Sequence, residues 1–399
     1  MKKLLSLENL AYLAVATLPL YLIQLEIFYV PTNVLEIIQM VIILWWFFDE
    51  NYKKPRLKDV SEKYGKFIVP IGFILFGLFL SVIVGGEYRI GAGIIKSWFV
   101  IPLLFSFVLL NIFQGEKIKN ILSALYFSTF FVSLIALVYY FFGNLTYDGR
   151  LQAFFNSPNY LAMFLAPGII IGFFYFEESR IIYGLSLAAI LPVFYLTFSY
   201  GAWVSVFGAI LIVLFLSKKI TKKTALGALL VLIMLLFFQS SQEKWADLSG
   251  LEERSSLSSR IMIWKTAGKL AEDNLLWGIG PGTFQEKYLE YQKFFPPYLE
   301  WAVPHPHSLF LSFFLYTGMF GFIGFINLAF YWLKKALEKE NSKNRSIFLA
   351  IMIYILLHGL VDTTYFKNDL AVIFWLCFLV LNLKKDPPRG LSSEAWAPP

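Results

Sequence analysis

An all-α polytopic membrane protein of about twelve transmembrane helices is the fold this sequence predicts. Three observations carry that expectation. Apolar runs of membrane-spanning length recur along the chain, charge is scarce, and Lys and Arg collect in the short links between the runs. Only 15% of the residues are charged and 58% are hydrophobic, whereas a soluble domain averages ~25% charged. Mean hydropathy is +0.64. A net charge of +7 in a soluble chain would suggest a nucleic-acid partner; here the lysines fall in short clusters between apolar spans and mark topology, so no nucleic acid is expected. The single cysteine, Cys377, lies in a late apolar run and excludes disulfides, iron–sulfur clusters and zinc-thiolate sites.

A span needs ~20 mainly apolar residues. Twelve are expected at 8–28, 33–48, 66–84, 91–112, 121–142, 158–176, 181–199, 202–217, 224–238, 308–333, 346–363 and 369–383. Met1-Lys2-Lys3 resembles the start of a signal peptide, but Glu8 interrupts the apolar run and a second span follows closely, so the first helix is expected to stay uncleaved. Starting the N-terminus inside and alternating places 23 Lys and Arg on the inner side and 10 on the outer, with Lys96 within a span. The bias is strongest in the short loops, where the positive-inside rule holds best. Both termini are therefore expected in the cytoplasm, with one large outer loop, 239–307, between helices 9 and 10. Residues 1–386 read as a single transmembrane helical domain and the Pro-rich 387–399 as a disordered cytoplasmic tail.

Polar residues return together in that loop. From Ser255 to Trp277, the residues Leu257, Ile261, Trp264, Gly268, Ala271 and Leu275 recur at helical spacing as one apolar stripe. Ser256, Ser258 and Ser259 are candidate N-caps, and the helix is expected to lie along the membrane surface or over the bundle. Gly278-Ile279-Gly280-Pro281-Gly282 breaks it and allows close backbone approach, with Gly280 at the centre as a candidate substrate contact. No Lys-Ser/Thr follows, so it is not a Walker loop. Thr283 to Phe295 reads as a second short helix. The loop closes on Pro304-His305-Pro306-His307, where the tenth span begins. The positive end of a helix dipole disfavours an imidazolium, and a neutral imidazole is what a general base requires. His307 is the candidate base, with His305 a second contact or a spacer. His305, His307 and His358 match no recognised zinc spacing, so no metal is expected.

Glu26, Glu36, Lys96, His358 and Asp362 are the ionisable residues expected within spans, all toward the outer ends of their helices. A transporter places such groups near mid-membrane; this pattern describes a site at the outer interface. Arg150 in another outer loop, Arg89 and Lys96 at the start of the fourth span, and Arg260 supply cations on that face. Arginine's planar fork suits phosphate oxygens, so a lipid-linked phosphate or pyrophosphate is the natural ligand.

Several of these stretches resemble one family. Gly149-Arg150 with Phe155-Asn156-Ser157-Pro158-Asn159, Ser259-Arg260-Ile261-Met262-Ile263-Trp264, Gly278-Ile279-Gly280-Pro281-Gly282-Thr283-Phe284, and His307-Ser308-Leu309-Phe310-Leu311 with Gly318 following look like the O-antigen ligase and polymerase superfamily. The resemblance implies an inverting glycosyltransferase of the bacterial inner membrane with a periplasmic active site and no cofactor, needing neither metal nor ATP. The donor would be an undecaprenyl-pyrophosphate-linked glycan. It further implies essential arginines at Arg150 and Arg260, an essential histidine at His307 and an aspartate at Asp362; from their own place on the same face, Lys96, Arg89 and His305 are expected to assist substrate binding. The chain departs from the family's pattern in two places: Ser308 stands where Asn usually follows the histidine, and Ser199-Tyr200-Gly201 where Ser-Arg-Gly is often found. Compact length and a single large outer loop favour, by analogy, an O-antigen ligase acting on lipid A–core. A polymerase extending lipid-linked glycan, a protein-glycosylating relative and a non-enzymatic lipid-linked-sugar transporter are the alternatives.

Overall fold

The structure is a computed structural model, and it describes residues 6–27, 29–52, 54–223, 226–227, 230, 256–296, 303–338 and 342–381. The ninth expected span, 224–238, the loop to residue 255 and the tail from 387 fall outside the described residues, apart from Leu226, Gly227 and Leu230.

The described residues are mostly helical. In order, α1 covers Leu7–Ala16, α2 Val34–Phe48, α3 Leu57–Gly85, α4 Tyr88–Ile94, α5 Ile101–Ile112, α6 Ile118–Phe141, α7 Pro158–Tyr175, α8 Arg180–Leu196 and α9 Tyr200–Leu216. After the undescribed stretch come α10 at Ser256–Asp273, α11 at Phe284–Tyr291, α12 at Leu309–Ala336, α13 at Lys343–His358 and α14 at Asn368–Val380. Among the described residues, five helical stretches are long and apolar enough to cross a membrane: Leu57–Gly85, Tyr88–Ile112, Gly115–Phe141, Pro158–Glu178 and Leu309–Ala336. Five shorter apolar helices accompany them. This is a multi-pass, all-α membrane architecture.

Sequence punctuation sets the helix starts. Asn33 caps α2 by accepting from the Glu36 amide at 2.9 Å. Ser157 caps α7 by accepting from the Asn159 amide, with Pro158 at the first helical position, where its missing N–H costs nothing. Between α4 and α5 the backbone widens into a π-helical stretch, Ile95–Val100, which contains Lys96; such bulges cluster at functional sites.

Three expectations are corrected. The first span does not run to residue 28. It stops at Ala16, continues as a 3-10 turn over Leu18–Leu22, and gives way to an antiparallel hairpin of β1, Gln24–Ile27, with β2, Val30–Asn33. Pro19 follows the helix end, and beyond it Gln24 pairs with Asn33, Leu25 with Thr32, Glu26 with Pro31 and Ile27 with Val30. Glu26 therefore lies on an exposed strand and not within a span. Asp362 likewise lies outside a helix, because α13 ends at His358 and a loop runs to Asn368. Finally, Ser256, Ser258 and Ser259 all lie inside α10 as described, Ser256–Asp273, so none of the three caps it.

Helices α3 and α12 run antiparallel in close contact, and glycine permits the approach. A Cβ at Gly77 would stand 2.3 Å from the Thr317 carbonyl oxygen, and one at Gly324 would stand 2.6 Å from that of Pro70. Small residues at a helix interface allow this spacing in lipid. Helix α12 breaks at Gly318 (φ 62°, ψ −172°), and the loop after α10 docks into the break. The Ile279 amide donates to the Leu315 carbonyl at 2.7 Å, and the Met319 amide to the Leu276 carbonyl at 3.2 Å.

Candidate active site

His307, Arg260, Arg150 and Asp362 come together at the end of the bundle where α12 begins. The hub is the Asp362 carboxylate. Its Oδ1 accepts the Thr363 amide at 2.8 Å and lies 3.2 Å from His307 Nδ1. Its Oδ2 accepts Asn159 Nδ2 at 2.9 Å and lies 4.0 Å from Arg260 Nη2. Asn159 relays the contact onward, since its Oδ1 accepts Arg150 Nη2 at 2.7 Å. Arg150 Nε donates to the Thr197 carbonyl at 2.8 Å. Four elements far apart in sequence thus meet on one carboxylate.

The local chain explains each position. His307 has φ +45°, a left-handed conformation that L-residues adopt at a cost of ~1–2 kcal/mol. This kink turns the chain into α12, where Ser308 caps the helix by accepting from the Leu311 amide. Ser308 is one of the two departures from the family's pattern, and Ser and Asn are near-equal N-caps; the substitution keeps the turn. The second departure, Tyr200, stands within electrostatic range of the Arg150 guanidinium. Trp264, one turn after Arg260 on α10, donates its indole N–H to the His307 carbonyl at 3.1 Å and ties the surface helix to the hinge.

Exposure grades across the cluster. The side chain of Asp362 is 3% exposed, Arg150 13%, Arg260 25% and His307 33%. The carboxylate is the buried anchor, and the imidazole is the group open to an incoming molecule. Burial alone would raise the Asp362 carboxyl. The His307 hydrogen bond, with the charges of His307, His358 and Arg260, outweighs it and holds the carboxyl below the usual carboxylate range. An ionised Asp362 accepting at Nδ1 fixes the tautomer that leaves His307 Nε2 as an acceptor.

The other expected site residues sit elsewhere or do other work. Lys96 reaches the fully buried Glu36 at 2.9 Å and donates to the Pro31 carbonyl at 2.7 Å. Glu36 also accepts Thr32 Oγ1 at 2.8 Å and Asn368 Nδ2 at 3.0 Å. Arg89 pairs with the exposed Glu26 at 2.7 Å. Arg89 lines a separate cavity of about 280 Å³ with Glu36, Trp98, Asn33 and Lys367, and Lys96 is joined to that lining through its ion pair with Glu36. His305 packs edge-on to Trp98 and lies 3.2 Å from the Tyr316 hydroxyl. Burial, with the charges of Lys367 and His307, pushes its imidazole down to about 3. Gly280 (φ +89°) faces Ser81, whose carbonyl oxygen a Cβ would meet at 3.0 Å; its glycine is needed to seat the loop against α3. Among the described residues, no three His, Cys, Asp or Glu side chains converge as a metal site.

Asn159 has no role that its motif alone indicates, and Trp264, part of the apolar stripe of α10, gains its contact with the His307 carbonyl only in the fold. Neither carries charge, and a search for ionisable groups in apolar runs passes over both.

A family model described as O-antigen ligase matches residues 185–326. That segment is similar to the O-antigen ligase family. The match supports the resemblance to the ligase and polymerase superfamily that the motifs carry, and with it a glycosyltransferase-like enzyme of ligase or polymerase type. The matched O-antigen ligase segment contains Thr197, Arg260, Gly280, His305 and His307, while Arg150, Asn159 and Asp362 reach the site from outside it. No curated protein matches the chain.

Proposed function

We propose that the chain is an inverting, metal-independent glycosyltransferase that moves a glycan from undecaprenyl pyrophosphate onto lipid A–core. The observation that supports this reading is the contact of His307 with Asp362, beside Arg260 and, through Asn159, Arg150. The two guanidinium groups bind the donor pyrophosphate and stabilise charge on it as the C1–O bond breaks. Pyrophosphate leaves without protonation, so a second acid has no task. His307 Nε2 removes the proton of the acceptor hydroxyl as that oxygen attacks the anomeric carbon. Asp362 holds the ring by Nδ1 and stabilises the imidazolium that results.

The same reading places the cluster on the periplasmic face of the inner membrane, with twelve crossings and both termini in the cytoplasm. It rests on the distribution of Lys and Arg in the short loops. Lys96 and Arg89, each facing a carboxylate, shape the neighbouring cavity and leave the pyrophosphate to the two arginines. Reconstitution with undecaprenyl-pyrophosphate glycan and lipid A–core tests the proposal. Transfer to core identifies a ligase, chain extension without core a polymerase, and movement without bond formation a transporter, which would overturn the enzymatic reading.

A further inference from the structure

A second cavity, of about 460 Å³, opens at the far end of the α3–α12 pair. Because the helices are antiparallel, with His307 before α12 and the loop at Gly280 against the end of α3, this cavity lies at the opposite membrane boundary from the candidate active site. Lys63 and Lys66 line it from α3, and Lys334 and Lys335 from α12. Glu62 and Glu338 are its acidic residues, so the lining carries an excess of two positive charges. Lys335 is tied to Glu338, and Glu62 lies 3.9 Å from Lys58 outside the cavity. Lys66 and Lys334 have no carboxylate within ion-pair reach among the described residues. Glu338 lies in the field of Lys335, Arg345 and Lys66 together.

Apolar surface continues from the cavity mouth toward the membrane interior. Ile68 and Val69 on α3 and Phe330 and Leu333 on α12 are exposed just inside the lysines, and Phe67 and Tyr331 meet edge-on at the wall. A positive recess with apolar surface below it and an interfacial tyrosine beside it matches an anionic amphiphile lying along the bundle. A lysine cluster that served topology alone needs neither the recess nor the apolar approach.

We propose that this recess binds the phosphate headgroup of an anionic phospholipid, with Lys66 and Lys334 as the principal contacts and the acyl chains lying on the faces of α3 and α12. The occupant clamps together the two helices whose other ends carry the glycine-rich loop and the His307 hinge. The site is independent of the proposed transferase chemistry.

Native mass spectrometry of the full chain in detergent, titrated with phosphatidylglycerol or phosphatidylcholine, tests this. The wild type is expected to retain phosphatidylglycerol preferentially. A Lys66→Gln/Lys334→Gln variant should lose about thirtyfold in that preference, at ~1 kcal/mol for each of the two lysines near a lipid surface. Lys66→Arg/Lys334→Arg should keep it, and Lys219→Gln/Lys222→Gln, exposed lysines away from the recess, should leave it unchanged. An equal loss in the Lys219/Lys222 variant would show general surface electrostatics and overturn the site. So would the absence of any preference in wild type, or full competition by inorganic phosphate, which would mark a free-anion site. Unchanged melting temperatures without lipid establish that each variant is folded.

Discussion

Two clusters of cations lie near one another at one end of the bundle, and they handle charge in different ways. Around Glu36, each cation has its own carboxylate: Lys96 meets Glu36 at 2.9 Å and Arg89 meets Glu26 at 2.7 Å. Around Asp362, one buried carboxylate faces His307, Arg260 and, through Asn159, Arg150, with Asp148 4.0 Å from Arg150 as the second carboxylate for three cationic or basic side chains. The first arrangement satisfies itself. The second leaves guanidinium N–H groups and an imidazole nitrogen for a ligand. Counting cations on one membrane face does not separate a structural ion pair from an anion site; counting their carboxylates does.

The comparison breaks most easily at His307. His307→Ala is expected to lower transfer by ~10²–10⁴-fold, the usual contribution of general acid–base catalysis, in protein that still inserts and folds. Asp362→Asn should cost ~10²-fold or more, because the amide no longer fixes the Nδ1–H tautomer or stabilises the imidazolium; steady-state kinetics should show the loss in kcat. Arg150→Ala and Arg260→Ala should weaken use of the donor more than use of the acceptor. Equal losses in both would assign those arginines a structural role.

The Glu36 cluster should respond in stability first. Lys96→Ala leaves a buried carboxylate with only Thr32 and Asn368 as partners, at a cost of ~2–4 kcal/mol that thermal unfolding in detergent would register. Arg89→Ala removes an exposed pair worth ~1 kcal/mol or less and should change neither melting nor transfer measurably. A further effect, confined to acid pH, concerns His305. The unfolded chain takes up a proton there below pH ~6.5, whereas the folded imidazole resists until about 3. Stability therefore declines as pH falls from 6.5. His305 retains some exposure, so the loss at pH 5 is at most ~2 kcal/mol, and a His305→Asn variant should flatten that part of the acid-stability curve.

Much of this was legible in the sequence. Helix α12 and its start at Ser308, the short helices α10 and α11, and the glycine break between them follow from hydropathy period and turn chemistry, which are local. His307, Arg260, Arg150 and Asp362 were each visible as polar residues at the outer boundary. The pairing among them was not, because it depends on how α7, α10, α12 and the loop after α13 converge. For the same reason Lys96 and Arg89 looked equivalent to Arg150 until Glu36 and Glu26 were seen opposite them. The hairpin at Gln24–Asn33 escaped because each strand is only four residues long, so the alternation Gln24-Leu25-Glu26-Ile27 does not stand out beside the longer apolar run before it. Gly280 read as a candidate substrate contact, and the structure assigns its glycine to seating the loop between α3 and the break at Gly318.

The central claim is that His307, oriented by Asp362, is the base. Its most direct test is the single-turnover rate of glycan transfer by His307→Ala with donor saturating and donor binding measured in parallel. The account predicts a rate at least ~10²-fold below wild type with donor affinity preserved. A wild-type rate in that variant would contradict it.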